Sequence, residues 1–349
     1  MASPNADSGM GFRFDRIPFL SGVVDPPEIP AAGGCDRGRH ISMTHIGIEI
    51  GGTKIQIVAG HADGTFLERH RLVADRARGG AGIREQIASV VPGLMARHAI
   101  ASVGVGFGGP VDPRTGQICC SHQVPGWHDF PLGDWVRELA GVPVAVENDA
   151  NVAALGEALR GAGCGYGSVF WINMGSGVGG GMVVDGRLYH GARPGEAEIG
   201  HLRLDRSGRI VEDACSGWAV DRRILAAVMA QQGPLANAVR AQTAEGGEAR
   251  HLRAALEAGD PVARKILGEV ADDLAFALSH AVHLFHPEII VVGGGLSLVG
   301  EPLRAAMAAA LPPYLMEAFH PGPRVALAGL GEDSVPVGAL ALAAAIVAP

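Results

Sequence analysis

The chain has 349 residues, 48% of them hydrophobic and 18% charged, so it is long enough for two domains and can bury a substantial core. Its formal net charge is −8 and it has no lysine- or arginine-rich block, which argues against a nucleic-acid-binding surface. The mean hydropathy is +0.21, yet the longest C-terminal apolar run, Val337 to Ala348, is too short to cross a bilayer. We therefore expect neither nucleic acid nor membrane among its partners.

The five cysteines form no Cys-x-x-Cys pair. An odd count without a disulfide framework suits a reducing compartment, so we expect a cytoplasmic location. Cys119 and Cys120 are adjacent in the chain and are open to two interpretations, a redox pair or small buried hydrophobic residues, of which we favour the second.

Residues 1–44 are rich in Gly, Pro, Asp and Ser and show no sustained hydrophobic periodicity. They also lack the charged start and apolar core of a signal peptide. This composition predicts a disordered N-terminal tail.

From His45 onward the pattern indicates alternating strands and helices. Strands are predicted at Ile46–Ile50, Ile55–Ala59, Phe66–Leu72, Ser102–Phe107 and Val144–Glu147, and helices at about Ile83–His98 and Leu132–Leu139. Three meandering strands followed by alternating helix and strand are typical of an α/β domain.

A similar order begins again after residue 150. Strands are predicted at Ser168–Met174, Gly180–Val184 and Ile289–Val292, and helices at about Trp218–Gln231, Leu252–Glu257, Pro261–Phe285, Pro302–Leu311 and Pro336–Ala348. Two halves that each open with a strand, a glycine turn and a strand suggest a duplication with a cleft between the halves, where ligands tend to bind.

Three glycine-rich turns follow apolar strands. They are Gly51-Gly52-Thr53-Lys54, Gly175-Ser176-Gly177 and Gly293-Gly294-Gly295. Backbone N–H groups in such turns can converge on phosphate oxygens, and the absence of Walker A spacing excludes a P-loop protein. Between the first two turns stands Asp149, whose carboxylate can take a proton from a hydroxyl that attacks a phosphate. Together the motifs indicate phosphoryl transfer from a nucleotide to an alcohol.

In these motifs the chain resembles the ROK sugar kinases and repressors of the actin-like ATPase superfamily, over roughly residues 45–345. The matching segments are Gly47–Lys54, Gly106–Asp112, Glu147–Asn151, Gly175–Gly181, Glu198–His201 and Gly293–Ser297. The resemblance implies an α/β, two-domain actin-like ATPase (ribonuclease H-like) fold with a ligand cleft between the domains. We expect an N-terminal domain at 45–150, a C-terminal domain at 151–335, and a final helix at 336–349 that packs back on the N-terminal domain.

The resemblance also implies roles for individual residues. Asp149 would be the general base, although an aspartate at this position can instead cap the helix that begins near Ala150. Sugar contacts are expected from Gly109, Asn148, Glu198, His201 and Glu212. The nucleotide phosphates would lie on Gly51, Gly52, Thr53, Lys54, Gly175, Ser176 and Gly177, with the adenosine on Gly294 and Gly295. Glu49 stands where many relatives carry Asp and would hold Mg²⁺ directly or through water.

The chain departs from this family pattern in three places. Many relatives carry a zinc loop rich in cysteine between the Glu-x-Gly-His motif and the next glutamate, but here no cysteine lies between His201 and Glu212. We therefore predict no structural zinc, since Cys215 alone cannot replace three thiolates. Gln123 replaces a frequent asparagine and Ala197 a frequent glycine, which leaves the identity of the hexose open.

The leading hypothesis is an ATP-dependent glucokinase that uses Mg²⁺ and phosphorylates glucose to glucose 6-phosphate. Fructose, allose, mannose and N-acetylhexosamines remain open as substrates, while Glu198 in place of a histidine argues against N-acetylmannosamine. A sugar-sensing repressor is disfavoured because the first 44 residues show no basic recognition helix. A non-catalytic sugar-binding protein is a minor alternative. The resemblance further implies a homodimer.

Overall fold

The computed structural model describes residues 43–121, 124–192, 195, 197–229, 231–243 and 246–348. Most of the predicted tail (residues 1–42) and Gln123 therefore lie outside the described residues. The strands within these ranges are β1 (Thr44–Ile50), β2 (Lys54–Gly60), β3 (Phe66–Val73), β4 (Ile100–Phe107), β5 (Val111–Asp112), β6 (Gln117–Ile118), β7 (Val144–Asn148), β8 (Ser168–Met174), β9 (Val178–Val184), β10 (Arg187–Leu188), β11 (Ile289–Gly293) and β12 (Arg324–Leu327).

The helices alternate with these strands in the first half of the chain and dominate the second half. They are α1 (Gly79–Arg97), α2 (Leu132–Ala140), α3 (Asp149–Arg160), α4 (Val211–Cys215), α5 (Gly217–Val228), α6 (Pro234–Ala241), α7 (Leu252–Glu257), α8 (Pro261–Phe285), α9 (Glu301–Ala310) and α10 (Ser334–Ala345). None of the helices in the described ranges is long and apolar enough to cross a membrane.

Two five-stranded sheets repeat one topology. The first sheet has the order β3-β2-β1-β4-β7, and the second has β10-β9-β8-β11-β12. In the first sheet β1, β2 and β3 form an antiparallel meander, β4 pairs in parallel with β1, and β7 pairs in parallel with β4. In the second sheet β8, β9 and β10 form the same meander, β11 pairs in parallel with β8, and β12 pairs in parallel with β11. In each sheet the glycine turn joins the first strand to the second, so the two turns occupy equivalent positions.

The last helix packs on the first sheet. α10 contacts β1, β4 and α3, and these approaches depend on glycines. A methyl group on Gly104 of β4 would overlap the backbone of Ala339, and one on Gly338 of α10 would overlap the carbonyl of Val152 in α3. α10 thereby holds together β1 and α3, whose ends carry the first glycine turn and Asp149. The exact domain boundaries remain a prediction.

The helix predicted at Trp218–Gln231 is shorter than expected. α5 ends at Val228 and α6 begins separately at Pro234, because the proline ring is compatible with the first helical turn but not with a helix interior. The helices α4 and α6 and the strands β5, β6, β10 and β12 were not predicted. α1 begins at Gly79, four residues before the prediction, because a start rich in glycine carries little helix signal.

Candidate active site

Asp149 is the first residue of α3. The residue that caps this helix is Asn148, whose Oδ1 accepts from the backbone N–H groups of Ala150 at 2.9 Å and Asn151 at 3.3 Å. The alternative in which Asp149 is the cap is therefore wrong, because the cap lies one residue earlier. The Asp149 carboxylate instead lies beside Gly108, where a methyl group would approach its Oδ2 to 3.3 Å.

The same methyl group on Gly108 would lie 3.3 Å from the carbonyl of Ile50, the last residue of β1, and 3.8 Å from the Cα of Gly51. On the other side, α3 packs against β9, which leaves the second glycine turn. This packing is close: a methyl group on Gly181 would lie 3.1 Å from the Ala150 carbonyl oxygen, and one on Gly179 would lie 3.2 Å from the Cβ of Ala150. The structure thus brings Asp149 beside the first glycine turn and packs the start of its helix against β9, the strand that leaves the second turn.

The surroundings of Asp149 change its acidity. The pKa of Asp149 is raised from 3.8 to about 7, chiefly by burial and in addition by the negative charges of Glu49 and, more weakly, Glu198. Burial also raises the pKa of Glu49, against the opposing effect of Lys54. A carboxylate with a pKa near 7 is suited to accept a proton at neutral pH, and such shifts are typical of functional sites.

The first turn carries a paired cation. The Gly51 N–H donates to the Lys54 carbonyl at 3.0 Å, which closes the turn and leaves Gly52 and Thr53 at its tip. Lys54 Nζ lies 3.3 Å from Glu49 Oε1, and its side chain is 43% exposed. This lysine is therefore close to Glu49 yet accessible to an anionic ligand.

The second and third turns lie against each other. The Gly175 N–H donates to the Gly177 carbonyl at 3.0 Å, and Ser176 is exposed between them. Gly294 is so close to the backbone of Met174 that a methyl group would approach it to 2.6 Å, whereas Gly295 faces open space. The predicted adenosine contacts therefore adjoin the predicted phosphate contacts.

A small pocket contains two of the five predicted sugar contacts, Asn148 and Glu198. It is lined by Pro110, Val111, Glu147, Asn148, Asn151, Gly195 and Glu198. Asn148 Nδ2 donates to the carbonyl of Gly109 at 3.1 Å, so Gly109, Asn148 and Glu198 lie together. Glu147 and Asn151 belong to the motif around Asp149, but no role was predicted for either residue. Glu147 Oε1 accepts from Asn151 Nδ2 at 3.2 Å, and this contact fixes one wall of the pocket.

The other two predicted sugar contacts, His201 and Glu212, neither line the pocket nor bond to a lining residue in the way Gly109 does. His201 ends a short 3₁₀ turn and is exposed. Glu212 lies against the second glycine turn, where its Oε2 accepts from the Val178 N–H at 2.9 Å and borders Gly177. Their roles in sugar binding therefore remain predictions.

The segment that lacks the zinc loop forms a short hairpin, with a bridge between Arg203 and Ile210. Arg209 donates to both carboxylate oxygens of Asp273 on α8, at 2.9 and 3.3 Å, and Arg223 donates to the same carboxylate at 2.6 Å. Among the described residues, no group of three or more His, Cys, Asp or Glu side chains is arranged to hold a metal ion. Ion pairs therefore anchor this hairpin to the helical layer.

Residues 45–346 match the model of the ROK family. The chain belongs to the ROK family. It is 30% identical to a glucokinase of Thermotoga maritima over 305 residues, which covers 85% of this chain and 96% of that protein. It is also 32% identical to the crystal structure of a ROK family glucokinase from Streptomyces griseus in complex with glucose and AMPPNP. That match covers 86% of this chain and 99% of the other, with a TM-score of 0.74.

These structural relatives confirm the predicted two-domain actin-like ATPase fold. The family also contains regulators. A xylose repressor of Caldicellulosiruptor bescii is 25% identical over 212 residues, which covers 58% of this chain and 52% of that protein. Family membership alone therefore does not distinguish a kinase from a sensor, and the chemistry of the site must be argued from its residues.

Proposed function

We propose that this ROK protein is an ATP-dependent hexose kinase that converts glucose to glucose 6-phosphate. The observation that carries the proposal is the position of Asp149, with its raised pKa, beside the first glycine turn, on a helix packed against the strand that leaves the second turn, and next to the pocket that contains Glu198. The choice of glucose follows the relatives, one of which is named glucokinase and another of which binds glucose and AMPPNP.

In the proposed reaction the hexose lies in the pocket with a hydroxyl directed at Asp149. The carboxylate accepts the hydroxyl proton while the sugar oxygen bonds to the γ-phosphorus of ATP, and the bond from that phosphorus to the β–γ bridging oxygen breaks. ADP leaves from the turns, where Lys54 offsets the charge of the phosphates. Exclusion of water between the domains would prevent hydrolysis of ATP as a competing reaction.

Mg²⁺ fits the residues present. Glu49 lies close enough to Asp149 for its charge to raise the pKa of that carboxyl, and carboxylate oxygen is a donor that Mg²⁺ prefers. We propose that Glu49 holds the ion, directly or through water. When bound with ATP, the ion neutralises negative charge on the transferred phosphoryl group.

The test is ADP release in a coupled assay with Mg-ATP and a panel of glucose, mannose, fructose, allose, N-acetylglucosamine and N-acetylmannosamine. We expect turnover to depend on glucose and to fall about 100- to 10,000-fold in Asp149→Asn, since general bases contribute about that much. Asp134→Asn, on the exposed face of α2, is the matched control and should retain wild-type activity.

Calorimetry with each sugar separates the outcomes. Sugar binding that persists in Asp149→Asn without turnover supports the assignment of the base. If the wild-type protein binds sugar and ATP but releases no ADP with any sugar of the panel, the kinase assignment is wrong and a sensor takes its place. Normal turnover by Asp149→Asn would mean that another group is the base.

A further inference from the structure

We infer that Gln56 is a positioning residue for Glu49 and thereby for the magnesium ion of the proposed kinase reaction, on which this inference rests. Glu49 on β1 and Gln56 on β2 are direct partners in the antiparallel register. The amide Nε2 of Gln56 donates to Glu49 Oε2 at 2.8 Å. Glu49 is 7% exposed and Gln56 is 1% exposed, so water cannot easily replace this hydrogen bond.

The Glu49 carboxylate is held at both oxygens. Oε1 faces Lys54 Nζ at 3.3 Å, and Oε2 is bonded to Gln56. Lys54 is partly exposed and belongs to the turn that is proposed to bind phosphate, so a nucleotide competes for it. Gln56 is buried and has no such competing ligand, so it is the partner that keeps Glu49 in place when Lys54 turns toward a phosphate.

The orientation of the Gln56 amide is itself fixed. Its Oε1 accepts from Arg71 Nε at 3.1 Å, and its Nε2 donates a second time, to the carbonyl of Glu332 at 3.1 Å. A flipped amide would point its oxygen at the Glu49 carboxylate and its NH₂ group at the Arg71 guanidinium. Both contacts would be repulsive, so the hydrogen bonds select one orientation.

The carbonyl of Glu332 that holds Gln56 belongs to a well-anchored segment. The neighbouring Gly329 and Leu330 donate their N–H groups to the buried carboxylate of Glu157 on α3, both at 2.9 Å. α3 is also the helix that begins with Asp149. Gln56 therefore connects Glu49 to the same helix that carries the proposed base, so both carboxylates have fixed positions relative to each other.

A double-mutant cycle tests this role. Gln56→Met keeps the volume of the side chain and removes its hydrogen bonds, and Glu49→Asp shortens the acid by one methylene so that it no longer reaches Gln56. The readouts are the dissociation constant of Mn²⁺ in the presence of ADP, measured by electron paramagnetic resonance without sugar, and the Mg²⁺ concentration at half-maximal turnover. Gln86→Met, on α1, is the matched glutamine control, because that amide donates only to the Val73 carbonyl and accepts from the Asp75 N–H.

We expect Gln56→Met to weaken Mn²⁺ binding about 10- to 100-fold, the usual cost of losing a partner that orients a metal-binding residue. In the Glu49→Asp background the same substitution should change binding less than about twofold. Equal losses in both backgrounds, or an unchanged Mn²⁺ constant in Gln56→Met, would overturn the inference. Mn²⁺ binding needs no turnover. If the kinase assay failed while the Mn²⁺ constants of the four proteins still showed the expected coupling between Gln56 and Glu49, the proposed reaction would be rejected and the role of Gln56 would stand.

Discussion

The two glycine turns occupy equivalent places in two sheets of the same topology, yet they differ in charge. The first turn, Gly51–Lys54, contains a lysine whose side chain is 43% exposed. The second, Gly175–Gly177, contains no cation, and the N–H of the next residue, Val178, is bonded to the Glu212 carboxylate. The two turns therefore have equivalent places in their sheets, but the first contains the cation Lys54 and the second lies beside the carboxylate of Glu212.

This difference in charge predicts that the two turns contribute differently to ligand binding. The first turn supplies a cation for phosphate charge from its own residues, whereas the second turn offers phosphate only backbone N–H groups and has beside it a carboxylate, Glu212, that suits a sugar hydroxyl. We therefore expect changes in the first turn to affect ATP and changes beside the second turn to affect the hexose.

The largest effect should come from the cation of the first turn. Lys54→Gln should raise the KM for ATP about 10- to 100-fold, because a hydrogen bond to a charged group contributes about 1.5–3 kcal/mol and each 1.4 kcal/mol is about tenfold. The KM for the hexose should change little. Lys265→Gln is the matched control, since Lys265 is the other lysine of the chain and lies exposed on α8. An equal KM for ATP in both variants would remove the distinction between the turns.

The second effect is the pH dependence of the base. With a pKa near 7, Asp149 accepts a proton only when ionised, so kcat/KM for the hexose should fall about tenfold per pH unit well below 7. Because Glu49 raises this pKa more than Glu198 does, Glu49→Gln should lower the midpoint of the profile further than Glu198→Gln. If the midpoint moved only in Glu198→Gln, Glu198 rather than Glu49 would be the charge that mainly raises the pKa of Asp149.

The same shift has a consequence for the stability of the nucleotide-free protein. The pKa of Asp149 is higher in the folded state than its ordinary value of 3.8, so the folded state binds the extra proton between about pH 4 and 7. The contribution of this group to stability therefore falls as pH rises through that window and is constant above it. Thermal unfolding of Asp149→Asn should lack this fall, and parallel pH curves for variant and wild type would contradict the shifted pKa.

Beside the second turn, Glu212 gives a smaller and more specific effect. Its Oε2 is committed to the Val178 N–H, so its other oxygen remains to accept from a sugar hydroxyl. Glu212→Gln should raise the KM for the hexose about tenfold, since the charged hydrogen bond contributes about 1.5 kcal/mol, and leave the KM for ATP within about twofold. If Glu212→Gln instead changed the KM for ATP and left the KM for the hexose unaltered, both turns would contribute to ATP binding and the proposed difference between them would be wrong.

Glu212 also illustrates which features of the fold and the site can be predicted from the sequence. Motif order predicted the fold and the main strands of both halves, because glycine turns and apolar strands are local signals. Motifs could not show that Glu212 bonds to the second turn or that Gln56 bonds to Glu49, since both contacts depend on how strands and loops approach in space. They also could not separate Asn148 from Asp149 as the helix cap, because both residue types are favoured there.

The smallest effect should come from the hairpin behind the second turn. Asp273 binds Arg209 and Arg223 with a side chain that is only 16% exposed, so Asp273→Ala should lower the free energy of unfolding by about 1–3 kcal/mol. The matched control is Glu269→Ala, whose side chain is 50% exposed and lies 3.8 Å from Arg223, and it should change stability by less than about 0.5 kcal/mol. Since we predict no structural zinc, a chelator should leave the unfolding temperature of the wild type unchanged. A marked drop with chelator would show that a metal stabilises this half after all.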